Sequence, residues 1–414
     1  MSFNSLELHP ALLRAITERG YSTPTAIQQS AIPAIFSGVD IIASAQTGSG
    51  KTAAFCLPLL QTTHARATST PRHVGTLILV PTRELATQIG DTLKSLASYL
   101  PKPIKLATVF GGVSINTQML HLRGGADIVI ATPGRLLDLI QNNAVSIAAV
   151  QTLVLDEADR LLELGFADEL NQLLALMPTQ RQNILFSATF PEQLSSLGEQ
   201  FLRQPVRIEV AATPITKPDI LQRAIVVDTD KRTPLLRHLI ESNHWKRVLV
   251  FVASRYSAEL VAVKLRKARI AAEPFHGELS QGKRTQVLAD FKANRIKVIV
   301  ATDVAARGID IVGLPVVLNY DLPRSSDDYT HRIGRTGRAG ETGLAVSFIS
   351  TGNEAHFRLI ENRQQIQLER EQIAGFEAVA SATIIDAEDK INGGIKGKRP
   401  NKKDKLRALA NTKT

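Results

Sequence analysis

At 414 residues, with 44% hydrophobic and 21% charged, the chain has the length for two or three domains and the balance of an ordinary globular protein. No apolar run approaches the roughly 18 residues that span a bilayer, MSFNSLELHP lacks the regions of a secretory signal, and a single cysteine, Cys56, excludes an intrachain disulfide and suits a reducing, cytoplasmic setting. The net charge of +10 points to a polyanionic partner, but residues 391–414 hold eight basic residues against Asp404, a net +7 that leaves +3 for the rest.

Near the start, GYSTPTAIQQ reads as Gly20 ending one helix, Thr23 capping the next and Pro24 opening it, with Gln28 inside. A carboxamide can pair in two places with adenine N6 and N7, and Tyr21 or Phe3 is placed to cover the ring. A solvated surface glutamine is the plain alternative. DIIASA is a strand. AQTGSGKT follows it (Ala45, Gln46, Thr47, Gly48, Ser49, Gly50, Lys51, Thr52) and precedes a helical pattern, the setting of a phosphate-binding loop. Its glycines let backbone N–H groups curl around phosphate oxygens. Lys51 adds a point charge for the β- and γ-phosphates, and the Thr52 hydroxyl is suited to Mg²⁺. Cys56, in AAFCLPLL, reads as a small buried hydrophobe.

Further strands follow as TLILVPT, IKLATVFGG, DIVIATP, TLVLDEAD and NILFSAT. Continuous aliphatic runs spaced by helical patterns indicate buried parallel strands. Their ends are small, polar or charged: Pro81-Thr82, Gly111-Gly112, Thr132-Pro133, Asp156-Glu157 and Ser187-Ala188-Thr189. An acidic pair ending a buried strand is costly without a cation nearby. Asp156 is therefore read as holding Mg²⁺, directly or through water, and Glu157 as orienting and deprotonating a water. Thr82 and Thr132-Pro133 each open a helix, Gly111-Gly112 exposes amides, and Arg83 and Arg135 add charge, a set that favours phosphate contacts.

After a polar, proline-bearing connector the pattern repeats: RAIVVD, RVLVFVAS, KVIVATD, PVVLNYD and LAVSFIS, with Ser254-Arg255 and Thr302-Asp303 at strand ends. The fold expected is α/β, two tandem doubly wound parallel-sheet domains joined by a short linker. The boundaries are 1–209, 210–219 as linker and 220–377, followed by a basic tail, 378–414, read as disordered. Ligands bind at the carboxyl ends of such strands, so facing edges would put the active site in the cleft between domains. HRIGRTGR (331–338) gathers three arginines and a histidine late in the second half. An isolated RTGR would read as a solvated basic helix end.

PTAIQ, AQTGSGKT, PTRELA, GG, TPGR, DEAD, SAT, ATDVAARGID and HRIGRTGR stand in the order of the DEAD-box RNA helicases, which the chain resembles from about Phe3 to Glu377. VFGGVSIN and LRGGADIVIATPGRLLDL look most like the short bacterial RhlE branch. The resemblance implies RecA-like domains, with ATP and Mg²⁺ as cofactors. It makes Arg335 and Arg338 arginine fingers on the γ-phosphate, places Asp310 on the ribose, and couples the domains through Asp159, Ser187, Thr189 and His331. It also implies RNA-backbone contacts by Pro81, Thr82, Arg83, Gly111, Gly112, Thr132, Pro133, Gly134, Arg135, Arg255, Gln281, Arg284, Thr302 and Gly308. The implied activity is RNA-dependent ATP hydrolysis with local unwinding of short duplexes. The implied partner is RNA, as single strand or short duplex, with ribosome-precursor and RNA-decay complexes open as settings, and no membrane. A DNA-directed helicase and a nucleotide-gated RNA-binding platform remain alternatives, whereas a simple P-loop ATPase leaves the second domain unexplained. The tail is expected to tether RNA or to act as a solubilising end.

Overall fold

A computed structural model describes residues 2–44, 49–66, 72–187, 189–190, 192–209, 220–306, 313–337 and 342–378. Met1–Glu377 forms one compact unit. The linker 210–219 and, except for Ala378, the basic tail lie outside the described residues.

The unit is built on two seven-stranded sheets. The first comprises β1 (Ile41–Ser44), β2 (Thr76–Leu79), β3 (Leu106–Val109), β4 (Ile128–Ala131), β5 (Thr152–Leu155), β6 (Gln182–Ser187) and β7 (Val206–Glu209). The second comprises β8 (Ile220–Val226), β9 (Val248–Val252), β10 (Ala272–Phe275), β11 (Val298–Thr302), β12 (Val316–Asn319), β13 (Gly343–Ile349) and β14 (Arg370–Glu371). Every pairing is parallel. The strand orders are 3-4-2-5-6-1-7 and 10-11-9-12-13-8-14. Adding seven to each number of the first gives the second, so one topology is used twice, each time with a switch point beside a central strand.

The aliphatic runs explain the layering. In the first sheet Ile78, Ile130 and Val154 pack on one face with Phe55 and Ile89, while Leu77, Leu153 and Leu155 pack on the other with Leu136, Leu161 and Leu173. The second sheet divides the same way, Val248, Val250 and Val300 against Leu249, Phe251 and Ile299. Each fully buried side chain of this kind contributes about 1.5–3 kcal/mol, so strands of four residues suffice when both faces are covered. Three strands were not anticipated, β7, β10 and β14, and all three are sheet edges. An edge strand buries less, so its sequence loses the continuous apolar run: VRIE buries only Ile208, and AEPF carries Pro274, a residue sheets tolerate at their edges.

Candidate active site

On the first sheet the phosphate loop leaves β1. Its residues Ala45, Gln46, Thr47 and Gly48 lie outside the described residues, and Ser49 and Gly50 lead into the helix Lys51–Ala65. Gly50 caps that helix at φ +93°, and a Cβ there would sit 2.6 Å from Gln28 Nε2 and 2.9 Å from Thr25 Oγ1. Only glycine lets the loop pass so close. Gln28 fastens it from the other side. Its Nε2 donates to the Gly50 carbonyl at 3.2 Å, and its Oε1 accepts from the Thr25 N–H at 3.0 Å. One donor and one acceptor position remain on the carboxamide, as many as adenine requires. The second of these bonds also corrects the expected helix start. The helix is Ala26–Phe36 with Thr25, not Thr23, as its N-cap, because Gln28 in the first turn folds back on Thr25 and leaves Pro24 outside. Phe3 lies buried in the core beside this region, and Tyr21 is exposed.

Lys51 is buried, and neither its Nζ nor the Ser49 hydroxyl has a hydrogen-bond partner among the described residues. An unpaired buried ammonium costs several kcal/mol, a debt an anionic ligand would remove. Asp156, at the end of β5, is buried too. Burial pushes its carboxyl up to about 6, with Lys51 opposing the rise and Glu157 adding to it. Glu157 sits in the left-handed region, φ 51° and ψ 52°, while its N–H donates to Asp156 Oδ1 at 3.0 Å. That conformation costs a non-glycine residue on the order of 1–2 kcal/mol, and such outliers concentrate at functional sites. An ammonium and a hydroxyl without partners among the described residues, beside two carboxylates, fit a phosphate ligand that carries a cation. Among the described residues no three His, Cys, Asp or Glu side chains converge, so a divalent ion here would share Thr52 and Asp156 with the ligand's own oxygens.

Asp159 is buried and fully engaged. Its Oδ2 accepts from the Thr189 N–H (3.0 Å) and hydroxyl (2.8 Å), its Oδ1 accepts from the Arg160 N–H (3.0 Å), and its own N–H donates to Ser187 Oγ (3.2 Å). Ser187 in turn donates to the Thr189 carbonyl at 2.7 Å. Ala188 lies outside the described residues. The crossing to the second sheet is made by the next residue, Arg160, which the sequence reading passed over. It pairs with Asp328 at 3.3 Å and donates to His331 Nδ1 at 2.8 Å, and both partners sit on the helix Ser326–Ile333. Burial first, then Arg160, lowers His331 to about 4, so the ring is neutral and its Nδ1 is free to accept.

The arginines of the late cluster divide. Arg332 is buried and structural. It grips Asp303 with two bonds (2.6 and 2.7 Å), donates to Asn319 at 3.0 Å and the Asp321 carbonyl at 2.6 Å, and lies over the Phe251 ring. Arg335 lines a small interlobe pocket together with Arg160, Asp328 and His331. Its backbone carbonyl accepts from the Leu314 N–H at 3.1 Å, and Thr336 Oγ1 donates to the Leu314 carbonyl. Arg338 and Asp310 lie outside the described residues.

The other strand-end motifs form a basic track. Thr82 caps the helix Arg83–Ala97, its Oγ1 accepting from Leu85 N–H at 3.3 Å, and Thr132 caps Pro133–Gln141 with Pro133 in the first turn. Pro81 lies beside Thr82, and a Cβ at Gly134 would meet nothing within 4 Å. Gly112, at φ +78°, lies against the Arg83 guanidinium so closely that any Cβ would overlap it, and Arg135 donates to the Val113 carbonyl at 3.0 Å just beyond Gly111-Gly112. Burial, then the neighbouring charges of Arg284 and Arg135, weaken Arg83's hold on its proton, so three guanidinium groups crowd one region spanning both sheets. Arg284 already has protein partners. It is buried and spends its guanidinium on protein: Glu84 Oε1 at 2.6 Å across the lobes, the His276 carbonyl at 3.1 Å and the Ala305 carbonyl at 3.4 Å. It bridges the lobes, with Glu84 as the partner the sequence reading missed. Arg255 is exposed and paired with Glu278, Gln281 Oε1 is buried without a partner among the described residues, and Thr302 ends β11 half-buried. Gly308 lies outside the described residues.

Residues 25–197 match the DEAD/DEAH box helicase family and residues 230–340 the helicase conserved C-terminal domain. The DEAD-box ATP-dependent RNA helicase CshA of Bacillus cereus is 38% identical over 369 residues, spanning 89% of this chain and 69% of that one. Among solved structures, a DEAD box protein from the hyperthermophile Methanococcus jannaschii is 35% identical over 90% of this chain and 99% of its own, with a TM-score of 0.51. S. cerevisiae Dbp5 bound to RNA and ADP BeF3 is 28% identical over 90% of this chain and 95% of its own, with a TM-score of 0.79. With its two like sheets, its DEAD strand end and its paired helicase families, the chain belongs to the DEAD-box ATP-dependent RNA helicases.

Proposed function

We propose that this RNA-stimulated ATPase grips one nucleotide and one RNA strand between its two lobes, and that lobe closure, rather than long translocation, separates short duplexes. The observation that carries the reading is the pair of interlobe bridges, Arg160 to Asp328 and His331, and Glu84 to Arg284. The first ties the DEAD strand end of the first lobe to the helix that leads into the late arginine cluster, and the second ties the strand-end track beside Thr82 to the helix Gln281–Lys292 of the second lobe. The Dbp5 complex with RNA and ADP BeF3 resembles this chain in shape more than the M. jannaschii protein does, although the latter is closer in sequence. The likeness in shape to the Dbp5 complex supports a lobe arrangement of the ligand-bound kind.

In this reading Gln28 selects the base, with Tyr21, Phe3 and Thr23 beside it and Asp310 on the ribose. Gln46, Gly48, Ser49, Gly50 and Lys51 cradle the phosphates, and Thr52 and Asp156 would hold Mg²⁺, which would neutralise charge on the transferred group. Glu157 takes a proton from the water that attacks the γ-phosphorus, while ADP leaves with the bridging oxygen. Arg335 and Arg338 meet the charge on the transferring phosphoryl group, a contribution of about 10³–10⁵ in rate. Asp159, Ser187, Thr189 and His331 relay the presence of nucleotide between the lobes. Thr82, Arg83, Gly111-Gly112, Thr132, Gly134 and Arg135, with Arg255, Gln281, Thr302 and Gly308, hold the RNA backbone. Such contacts position a strand without reading its sequence, and binding weakens with salt.

Arg335→Lys is expected to lose most ATP turnover while keeping nucleotide affinity, because a lysine lacks the planar fork. Near-normal turnover, measured with saturating RNA, would sink the assignment. Displacement of a strand from a duplex of about ten base pairs, alongside ATPase stimulation by matched RNA and DNA, separates this reading from a non-unwinding clamp and from a DNA-directed enzyme.

A further inference from the structure

All twenty aromatic side chains of this protein fall in the described residues, and only Tyr21 and Tyr256 are exposed. Tyr21 borders the nucleotide motifs. Tyr256 has no such explanation and is the more open of the two, at 72% exposed. A tyrosine ring left in water gives up the apolar burial that every other large aromatic here except Tyr21 obtains, and a ring so open is available to a ligand.

Tyr256 is the second residue of the helix Arg255–Lys267, which begins where β9 ends. Ser254 caps this helix, its Oγ accepting from the Ser257 N–H at 3.1 Å, which fixes the direction of the first turn. Side chains on a helix lean back toward its N-terminus, so the ring tilts toward the strand-end edge rather than toward the far side of the lobe. Arg255, immediately before it, is exposed on the same edge, and the end of β11 at Thr302 lies one strand away. Arg255 and Tyr256 are thus consecutive exposed residues in the first turn of a helix that starts at the edge assigned above to the RNA backbone.

We infer that Tyr256 is a base-stacking residue, its ring receiving one base of the strand whose phosphates the second lobe holds. The inference rests on the RNA reading of that edge and adds a contact to the base, where the motifs touch only the backbone. When a strand is held by its phosphates the bases are splayed and present π-faces, which an exposed ring covers regardless of sequence. The hydroxyl plays no part in stacking, so phenylalanine should replace tyrosine and alanine should not. Leu260 and Val263 continue from Tyr256 along the exposed helix face, and a docking stripe for another protein is the competing use.

The test uses the full chain with a non-hydrolysable ATP analogue and a fluorescent single-stranded RNA, read by anisotropy. Tyr256→Ala is expected to weaken binding roughly 5- to 150-fold, the range for loss of one stacked base, with an unchanged melting temperature because the ring is exposed. Tyr256→Phe should bind within about twofold of the wild type. In a series of RNAs with one abasic position each, one position should weaken the wild type to a like extent and leave Tyr256→Ala unaffected. Equal RNA affinity for wild type and Tyr256→Ala would overturn the inference and leave the RNA reading standing, as the docking stripe requires. A wild-type protein that fails to bind the RNA would bring down the reading and this inference together.

Discussion

Asp156 shows what burial does to a single carboxylate. In the nucleotide-free protein its acid form persists to about pH 6, against 3.8 for an ordinary aspartate. The folded state thus holds this proton more tightly than the unfolded chain, so the charged carboxylate penalises folding as pH rises from about 4, and fully above about 6. Asp156→Asn, a standing mimic of the neutral form, is expected to raise the melting temperature at pH 7.5, equivalent to about 1–3 kcal/mol, and to give no gain near pH 4. Thermal melts of both proteins across that range, without nucleotide, check it; a gain independent of pH would refute the account. Residue identity also marks the limit of sequence reading. Arg332 and Arg335 look alike in HRIGRTGR, yet one is sealed under Phe251 against Asp303 and the other faces the first lobe. Arg160 and Glu84 sit next to motif residues and carry the lobe contacts, and no local pattern separates them from ordinary surface charges.

Among the elements, the central strands were readable because burial on both faces leaves an uninterrupted aliphatic run, whereas β7 buries only Ile208, β10 is interrupted by Glu273 and Pro274, and β14 is two residues long. Helix starts were readable where a threonine caps alone, as at Thr82, or a proline opens the first turn, as Pro133 does, and shifted where a first-turn side chain competes, as Gln28 does at Thr25. One element contact governs the arginine cluster. The first residue of β13, Gly343, lies against residues 336–337, and a Cβ there would stand 2.7 Å from Gly337 Cα and closer still to its nitrogen. With the Leu314 bonds, this close packing of backbone on backbone sets the height of Arg335 above the sheet. Gly343→Ala is expected to lift that segment and lower kcat about tenfold or more, since an ångström of misplacement costs on that order or beyond, while ATP affinity changes little. Steady-state kinetics beside nucleotide titration test it, and an unaltered kcat would mean the segment is positioned by something else.

For the whole molecule, the buried Glu84–Arg284 pair is the most informative contact, because one partner belongs to each lobe and both side chains are under 10% exposed. Removing one partner strands the other charge and should disfavour closure by about 2–5 kcal/mol. Glu84→Gln should therefore depress RNA-stimulated ATPase and leave nucleotide binding at low RNA unaltered. The exchange Glu84→Arg with Arg284→Glu should recover a substantial part of the activity lost in either single variant. If Arg284 instead acts on RNA, the exchange recovers nothing, so ATPase assays on the three variants decide between a bridge and a strand contact.

Two bodies fastened at two points keep one freedom, a swivel about the line through the fastenings. The bridges at Arg160 and at Arg284 are two such points among the described residues, and on those two alone the lobes could still rock on that axle. If ligands are gripped off the axle, as proposed, they would add a third support, so the substrates themselves would complete the rigidity of the machine and their departure would return its play.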